Sequence, residues 1–281
     1  MKKIGRRCII KGIGSIGVAS SLGSNVIGEV SADNRNNSAK SAGVSRRIDE
    51  LLKKGEFKKA SNILNKNNVV HSYVRKKVQR EPDSVSGASV GTQSFFGKSE
   101  SSFYGGVYKW TDEEFKAVVA VNLNLGNSWA DGPAPRDVGV IAWEGDVFGP
   151  IKVDEIRTEL QYVNSETKDM DPKFVNKPND PLKGSYENAY ILSFKDNKNK
   201  NSWSGRMYPT GGYVYFDCIL RKQKAGTKGN IVCKYGHTWS ILNIAQYNIL
   251  ESVSISGGPV GVSIDVPTGA DRWALGESFS R

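Results

Sequence analysis

Two carboxylates two positions apart, Glu144 and Asp146 in "AWEGDVFG", are the pair in this 281-residue chain whose types and spacing could cleave a glycosidic bond. Such hydrolysis needs one carboxyl group to protonate the leaving oxygen and a second to attack or to activate water. At i and i+2 both lie on one face if the strand continues, next to Trp143. The same letters describe a polar turn closing a strand whose tryptophan enters the core, and this is the expected arrangement. His237 in "YGHTWS" is the second candidate, because the other histidine, His71, lies in a basic stretch. A Ser-His-Asp or Cys-His centre would have to use His237, with Ser240 or Ser254 available as partners. No G-x-S-x-G elbow accompanies it, and a histidine between Tyr235 and Trp239 is expected to be packed and hydrogen-bonded.

Metal and cofactor chemistry finds little purchase. The chain has no H-E-x-x-H, no pair of C-x-x-C, no D-x-D-x-D-G loop and no phosphate-binding G-x-x-x-x-G-K-[ST], so neither a metal nor a cofactor is expected. Asp169, Asp171 and Asp180 in "KDMDPKFVNKPNDP" could bind calcium loosely, but the interleaved lysines read better as a solvated loop. Binding has a stronger basis. Trp129 in "GNSWADGPAPRD" and Trp203 in "KNKNSWSGRM" sit in polar, turn-rich stretches where burial is hard to arrange. Exposed rings there could stack on sugar faces or dock a partner protein.

These residues need a framework, and hydropathy periods supply it. "FKAVVAVNLNL" places Phe115, Ala117, Val119, Val121, Leu123 and Leu125 on one side, with Lys116, Asn122 and Asn124 on the other. "EIRTELQYV", "YENAYILSF" and "VGVSIDV" alternate in the same way, and "VGVIAW", "YVYFDCIL", "IVCKYGHTW" and "ESVSIS" are rich in β-branched or aromatic residues. Short strands separated by Gly, Pro, Asn and Asp, with hardly a helical stretch between them, predict a mainly β, antiparallel β-sandwich over residues 103–281. "TDEEFK" could start a short helix through a Thr111 and Glu114 capping box, but is read as a turn into the strand.

Ahead of the sandwich, "SRRIDELLKKGEFKKASNILNKNNV" sets Ile48, Leu51 and Leu52 on one stripe and Phe57, Ala60, Ile63 and Leu64 on another. This predicts an α-helical hairpin over 45–68, with Ser45 as cap and Gly55 at the break. It is expected to be an arm whose basic outer faces are solvated, with partner docking or anchoring to an acidic envelope polymer as functional alternatives. Residues 33–44 read as a flexible leader and 69–102 as a linker.

Charge follows this division. The formal net charge is +10, yet residues 33–83 hold thirteen Lys/Arg against six Asp/Glu, and residues 84–281 hold twenty-one against twenty-two. The large domain is balanced, so nucleic acid is not an expected partner. Cys218 and Cys233 lie in two strand-like runs joined by "RKQKAGTKG". A hairpin turning at Ala225 to Lys228 would bring them opposite each other and predicts a cross-strand disulfide, with two free buried thiols as the alternative.

The N-terminus carries a basic start, a weakly apolar Gly/Ser-rich stretch and "VSA" ending at Ala32. Arg6, Arg7 and Lys11 around Ile9 and Ile10 resemble a twin-arginine export signal, which implies a cleaved signal peptide over 1–32 and a secreted, extracellular protein that folds before export. With "RIDELLKKGEFKKASNILNK", "YGHTWS" and "VSISGGPVGVSI" in that order, the chain also resembles secreted proteins of halophilic archaea, from which it departs in being basic. That resemblance transfers no catalytic residues. The expected function is non-catalytic binding of an extracellular glycan or envelope protein, with a secreted polysaccharide hydrolase or a membrane-active protein using the basic arm as alternatives.

Overall fold

The computed structural model describes residues 37–77, 101–124, 136–180, 186–196, 200–202, 205–207, 209–239, 253–256, 261–264 and 271–281. Helices α1 (Ser45–Lys53) and α2 (Phe57–Lys66) lead into β1 (His71–Lys77), β2 (Ser102–Lys109), β3 (Glu114–Asn124), β4 (Asp137–Trp143) and β5 (Phe148–Gln161). The short β6 (Thr167–Lys168) and β7 (Lys173–Asn176) precede β8 (Ala189–Phe194), β9 (Lys200–Ser202) and β10 (Gly205–Met207). The long β11 (Gly211–Lys222) and β12 (Asn230–Trp239) are followed by β13 (Val253–Ser256), β14 (Gly261–Ile264) and β15 (Asp271–Ser280). Every ladder between them is antiparallel. One six-stranded sheet has the order β1-β2-β3-β11-β5-β6 and a five-stranded sheet the order β15-β12-β4-β8-β7; β9–β10 and β13–β14 form small separate hairpins.

The alternation of β3 shows how the layers stack. Phe115, Ala117, Val119, Val121 and Leu123 face the core between the two sheets, where they meet Trp143, Tyr190, Phe194 and Tyr235 of the second sheet. The opposite face is not solvated. Val118 and Ala120 pack beneath Ile48, Leu52, Phe57, Ala60 and Leu64 of the helices, and Lys116 between them is fully buried. A third cluster places Val253 and Ile264 of the β13–β14 hairpin over Val138, Val140 and Ala142. With both faces covered, β4 is buried throughout and β11 over its first ten residues, the signature expected of strands flanked on both sides.

The helical hairpin is where the sequence predicts it, but it is not a solvated arm. Phe57 stacks on Tyr104 at 4.4 Å between centroids, and Tyr213 Oη donates to the Leu52 carbonyl at 2.6 Å, joining the Gly55 amide on that acceptor at the end of α1. Gly55 takes φ +71°, the left-handed turn that the break between the helices requires. Ser45 makes no cap hydrogen bond; Val44 is the N-cap. The leader and linker readings also need correction. Ala39 is fully buried and its amide donates to the Lys109 carbonyl, while Asn37 bridges Val69, so residues 37–44 are fastened to the sheet. Residues 71–77 form β1, paired with β2 from His71↔Tyr108 to Lys77↔Ser102; the basic run Arg75, Lys76 and Lys77 hid a strand's alternation.

The expected hairpin between the cysteines does not form. β11 pairs with β3 and β5 in one sheet, and β12 with β4 and β15 in the other. Cys218 and Cys233 are consequently free thiols buried in the inter-sheet core, each with its pKa pushed up by burial, that of Cys233 to about 12. They are packed as small apolar groups.

Candidate binding cleft and two buried ionic centres

Glu144 and Asp146 lie at a turn rather than sharing a face of a continuing strand. β4 ends at Trp143, whose ring is fully buried, and the chain turns at once, with Val147 and Phe148 amides returning to the Glu144 carbonyl. The Glu144 carboxylate accepts the Asn230 amide at 3.1 Å, whereas Asp146 stands in solvent 3.7 Å from Lys224. This is the polar turn expected from the sequence; a shared face would have needed the strand to continue. Trp129, Trp203 and the signal residues Arg6, Arg7, Lys11 and Ala32 lie outside the described residues.

His237 is buried, as expected, and belongs to an ionic centre at one end of the inter-sheet core. Its Nδ1 lies 3.0 Å from Asp137 Oδ2 and 3.2 Å from Asp196 Oδ2, and Tyr235 Oη donates to Asp137 at 2.5 Å. Burial alone would depress the imidazole pKa, but the two carboxylates outweigh it and hold the pKa well above the ordinary value. The donor atoms of Asp137, Asp196 and His237 fall within 4.8 Å of one another, a spacing that could also hold a metal ion. Without an ion the two carboxylates favour the protonated imidazole, and Arg136 adds a second positive charge beside them, which makes this a buried charge cluster. Ser254, considered as a nucleophile, bonds Ser263 at 2.6 Å on the surface hairpin. Asp137 was legible only as the last polar residue before "VGVIAW"; Asp196 carried no signal, because its approach depends on the pairing of β4 with β8.

A second centre forms where the helices meet the six-stranded sheet. Lys116 Nζ contacts Asp49 of α1 at 2.9 Å, Asp154 of β5 at 2.8 Å and Asp217 of β11 at 3.2 Å, with the Trp110 ring centroid 4.4 Å away. Tyr108 donates to Asp49 at 2.7 Å and Tyr215 to Asp217 at 2.5 Å. Burial works against the charged amine, but Asp217 and Asp49 lead the interactions that raise its pKa above the ordinary lysine range. Burial would raise the Asp154 carboxyl too, yet hydrogen bonds from Lys116 and Lys152 bring it down to about 2.

Asp154 reaches Lys116 through a β-bulge. The register of β5 against β11 slips twice, once beside Ile151 and once beside Asp154, so each is an extra residue without an opposite number. Bulges re-aim side chains and bend the strand away from a regular edge. Here they help shape an open cleft of about 470 Å³ between β5 and the end of β7, within the size range of small-ligand sites. Phe174, Tyr190, Val153 and Ile156 supply apolar surface, and Lys152, Asp154, Glu155, Lys177 and Asn179 supply polar groups. The Phe174 and Tyr190 rings lie 6.2 Å apart, and the Lys177 amine sits 5.6 Å over Phe174. The sequence reads "FVNKPN" as part of a solvated loop, whereas residues 173–176 form β7; the cleft exists only once the edges of two sheets are brought together.

No family model matches the chain, and no curated protein matches it in sequence. Among solved structures, the C-terminal domain of the AgI/II polypeptide BspA of Streptococcus agalactiae aligns over 51% of this chain and 55% of its own, at 9% identity and a TM-score of 0.27. This chain thus spans about half the length of that domain. Clostridium perfringens delta-toxin aligns over 73% of this chain and 89% of its own, at 9% identity and a TM-score of 0.30. The KRT10-binding region of the pneumococcal serine-rich repeat protein PsrP aligns over 70% and 99%, at 8% identity and a TM-score of 0.22. Likeness at this level carries no function to this chain.

Proposed function

We propose that this is a secreted, non-catalytic binding protein that takes an extracellular ligand in the cleft between β5 and β7. Export would use the twin-arginine signal around Arg6 and Arg7, with cleavage after Ala32, which agrees with a fold dominated by long-range strand pairing that would have to be complete before translocation. No helix among the described residues is long and apolar enough to cross a membrane. The cleft carries the reading: it is open, has an aromatic and aliphatic wall, and is lined by β5, by Phe174 of β7 and Tyr190 of β8, and by the turn at residues 177–179. The groups first considered for hydrolysis are engaged otherwise, Glu144 by the Asn230 amide and His237 by two buried carboxylates.

The test incubates the purified mature protein with isolated cell envelopes and insoluble glycans, following loss of protein from solution and appearance of soluble fragments. Retention without fragments, reduced at least tenfold by Phe174→Ala, is the expected result. Fragment release that disappears in Glu144→Gln would replace this reading with a hydrolytic one.

A further inference from the structure

The charges around the cleft identify the chemistry of what it binds, given the binding reading above. Its two acidic groups are both engaged: Asp154 by Lys116 at 2.8 Å and by Lys152 at 2.5 Å, and Glu155 by Lys53 of α1. Lys53 and the Asp49 that braces Lys116 both come from the helical hairpin, so the helices neutralise the acids that would otherwise dominate this wall. Lys177, by contrast, is exposed and makes no ion pair with a carboxylate among the described residues; its amine lies over the face of Phe174. A ligand that lays an apolar face on Phe174 would displace the flexible Lys177 amine from the ring and meet at its own edge an ammonium that no carboxylate pairs.

The strand beside the cleft also discriminates between ligand classes. Between Gly149 and Arg157 the outer edge of β5 has no strand partner among the described residues, which would ordinarily invite an added peptide strand. Pro150 lacks an amide hydrogen, and the bulges at Ile151 and Asp154 break the regular spacing of donors and acceptors twice within five residues. A main-chain ladder cannot run along such an edge, so recognition falls to side chains. We infer that the cleft binds an acidic saccharide, with a sugar face stacked on Phe174, its carboxylate paired with Lys177, and the helical hairpin setting the sign of the site by neutralising Asp154 and Glu155.

The test measures affinity of the purified mature protein for uronate and sialylated oligosaccharides, and for the same sugars as uncharged methyl esters. The acids should bind roughly three- to tenfold more tightly than the esters, a preference that shrinks as salt is raised. Lys177→Met should abolish the preference by bringing the acid's affinity down to that of the ester, and Phe174→Ala should weaken both forms. Lys53→Met, which frees Glu155 without touching the aromatic wall, should reduce the preference for the acid alone. Equal binding of acid and ester, a preference that survives Lys177→Met, or an extended peptide that displaces the sugar would each overturn the acidic-saccharide assignment while leaving a binding protein. Envelope retention that is indifferent to Phe174→Ala would place binding elsewhere and overturn the cleft as well. Failure to bind any envelope or glycan would remove the binding reading itself.

Discussion

Lys116 and His237 are both charged groups in the interior of one sandwich, held in different ways. Lys116 gathers carboxylates from α1, β5 and β11, and two of these, Asp49 and Asp154, retain 13% and 26% exposure. His237 is sealed between Asp137 and Asp196, whose exposures are 0% and 4%. The first centre joins separate layers and ends at the wall of the cleft; the second fastens neighbouring strands of one sheet. Isolated buried charges are costly, and each centre avoids that cost by pairing. Only the first links the helical hairpin to a surface where a ligand could enter.

The comparison can be broken most severely at Lys116. Lys116→Met leaves three carboxylates facing one another without their cation, and should cost about 3–5 kcal/mol of unfolding free energy by denaturant titration. Adding Asp217→Asn should recover part of that loss, because the most deeply buried carboxylate is then neutral. His237→Gln should cost less, about 2–3 kcal/mol, since Arg136 still offsets the charge of Asp137 and Asp196 and Gln can donate one hydrogen bond. If the two variants lose the same stability and both detach the helices, as read by protease cleavage in residues 45–66, the distinction between the centres fails.

The smallest effect is expected in the pH dependence, and it separates the centres by sign. The His237 pKa is raised in the folded state, so its contribution is complete below the ordinary value of 6.5 and is lost as pH rises through the higher folded value. The stability advantage of wild type over His237→Gln should therefore shrink on the alkaline side. Asp154 is depressed from 3.8 to about 2, so its contribution is present above 3.8 and lost as pH falls toward 2. The advantage of wild type over Asp154→Asn should shrink only in acid. Parallel pH profiles for the two pairs would mean that the centres are not independent.

Much of the framework was legible because it is local. Alternation in "FKAVVAVNLNL" marked β3 and its inward face, and the three- and four-residue spacing from Ile48 to Leu64 marked both helices. What covers the second face was not legible, and Lys116 is the clearest case: an alternating lysine signals solvent unless a distant segment supplies partners. At Glu144 and Asp146 the expected turn forms, since spacing implies a shared face only while the strand persists.

Sequence alone determined that the chain is mainly β with a helical hairpin ahead of it, because side-chain period follows from backbone geometry within a few residues. Tertiary structure decided that Cys218 and Cys233 lie in different sheets, that the hairpin packs on β3 and β11, and that a cleft opens beside Phe174. Those outcomes depend on which strands pair across long stretches of chain. Loop closure adds little free energy per added residue, so pairing is selected by burial and charge compensation summed over the whole fold.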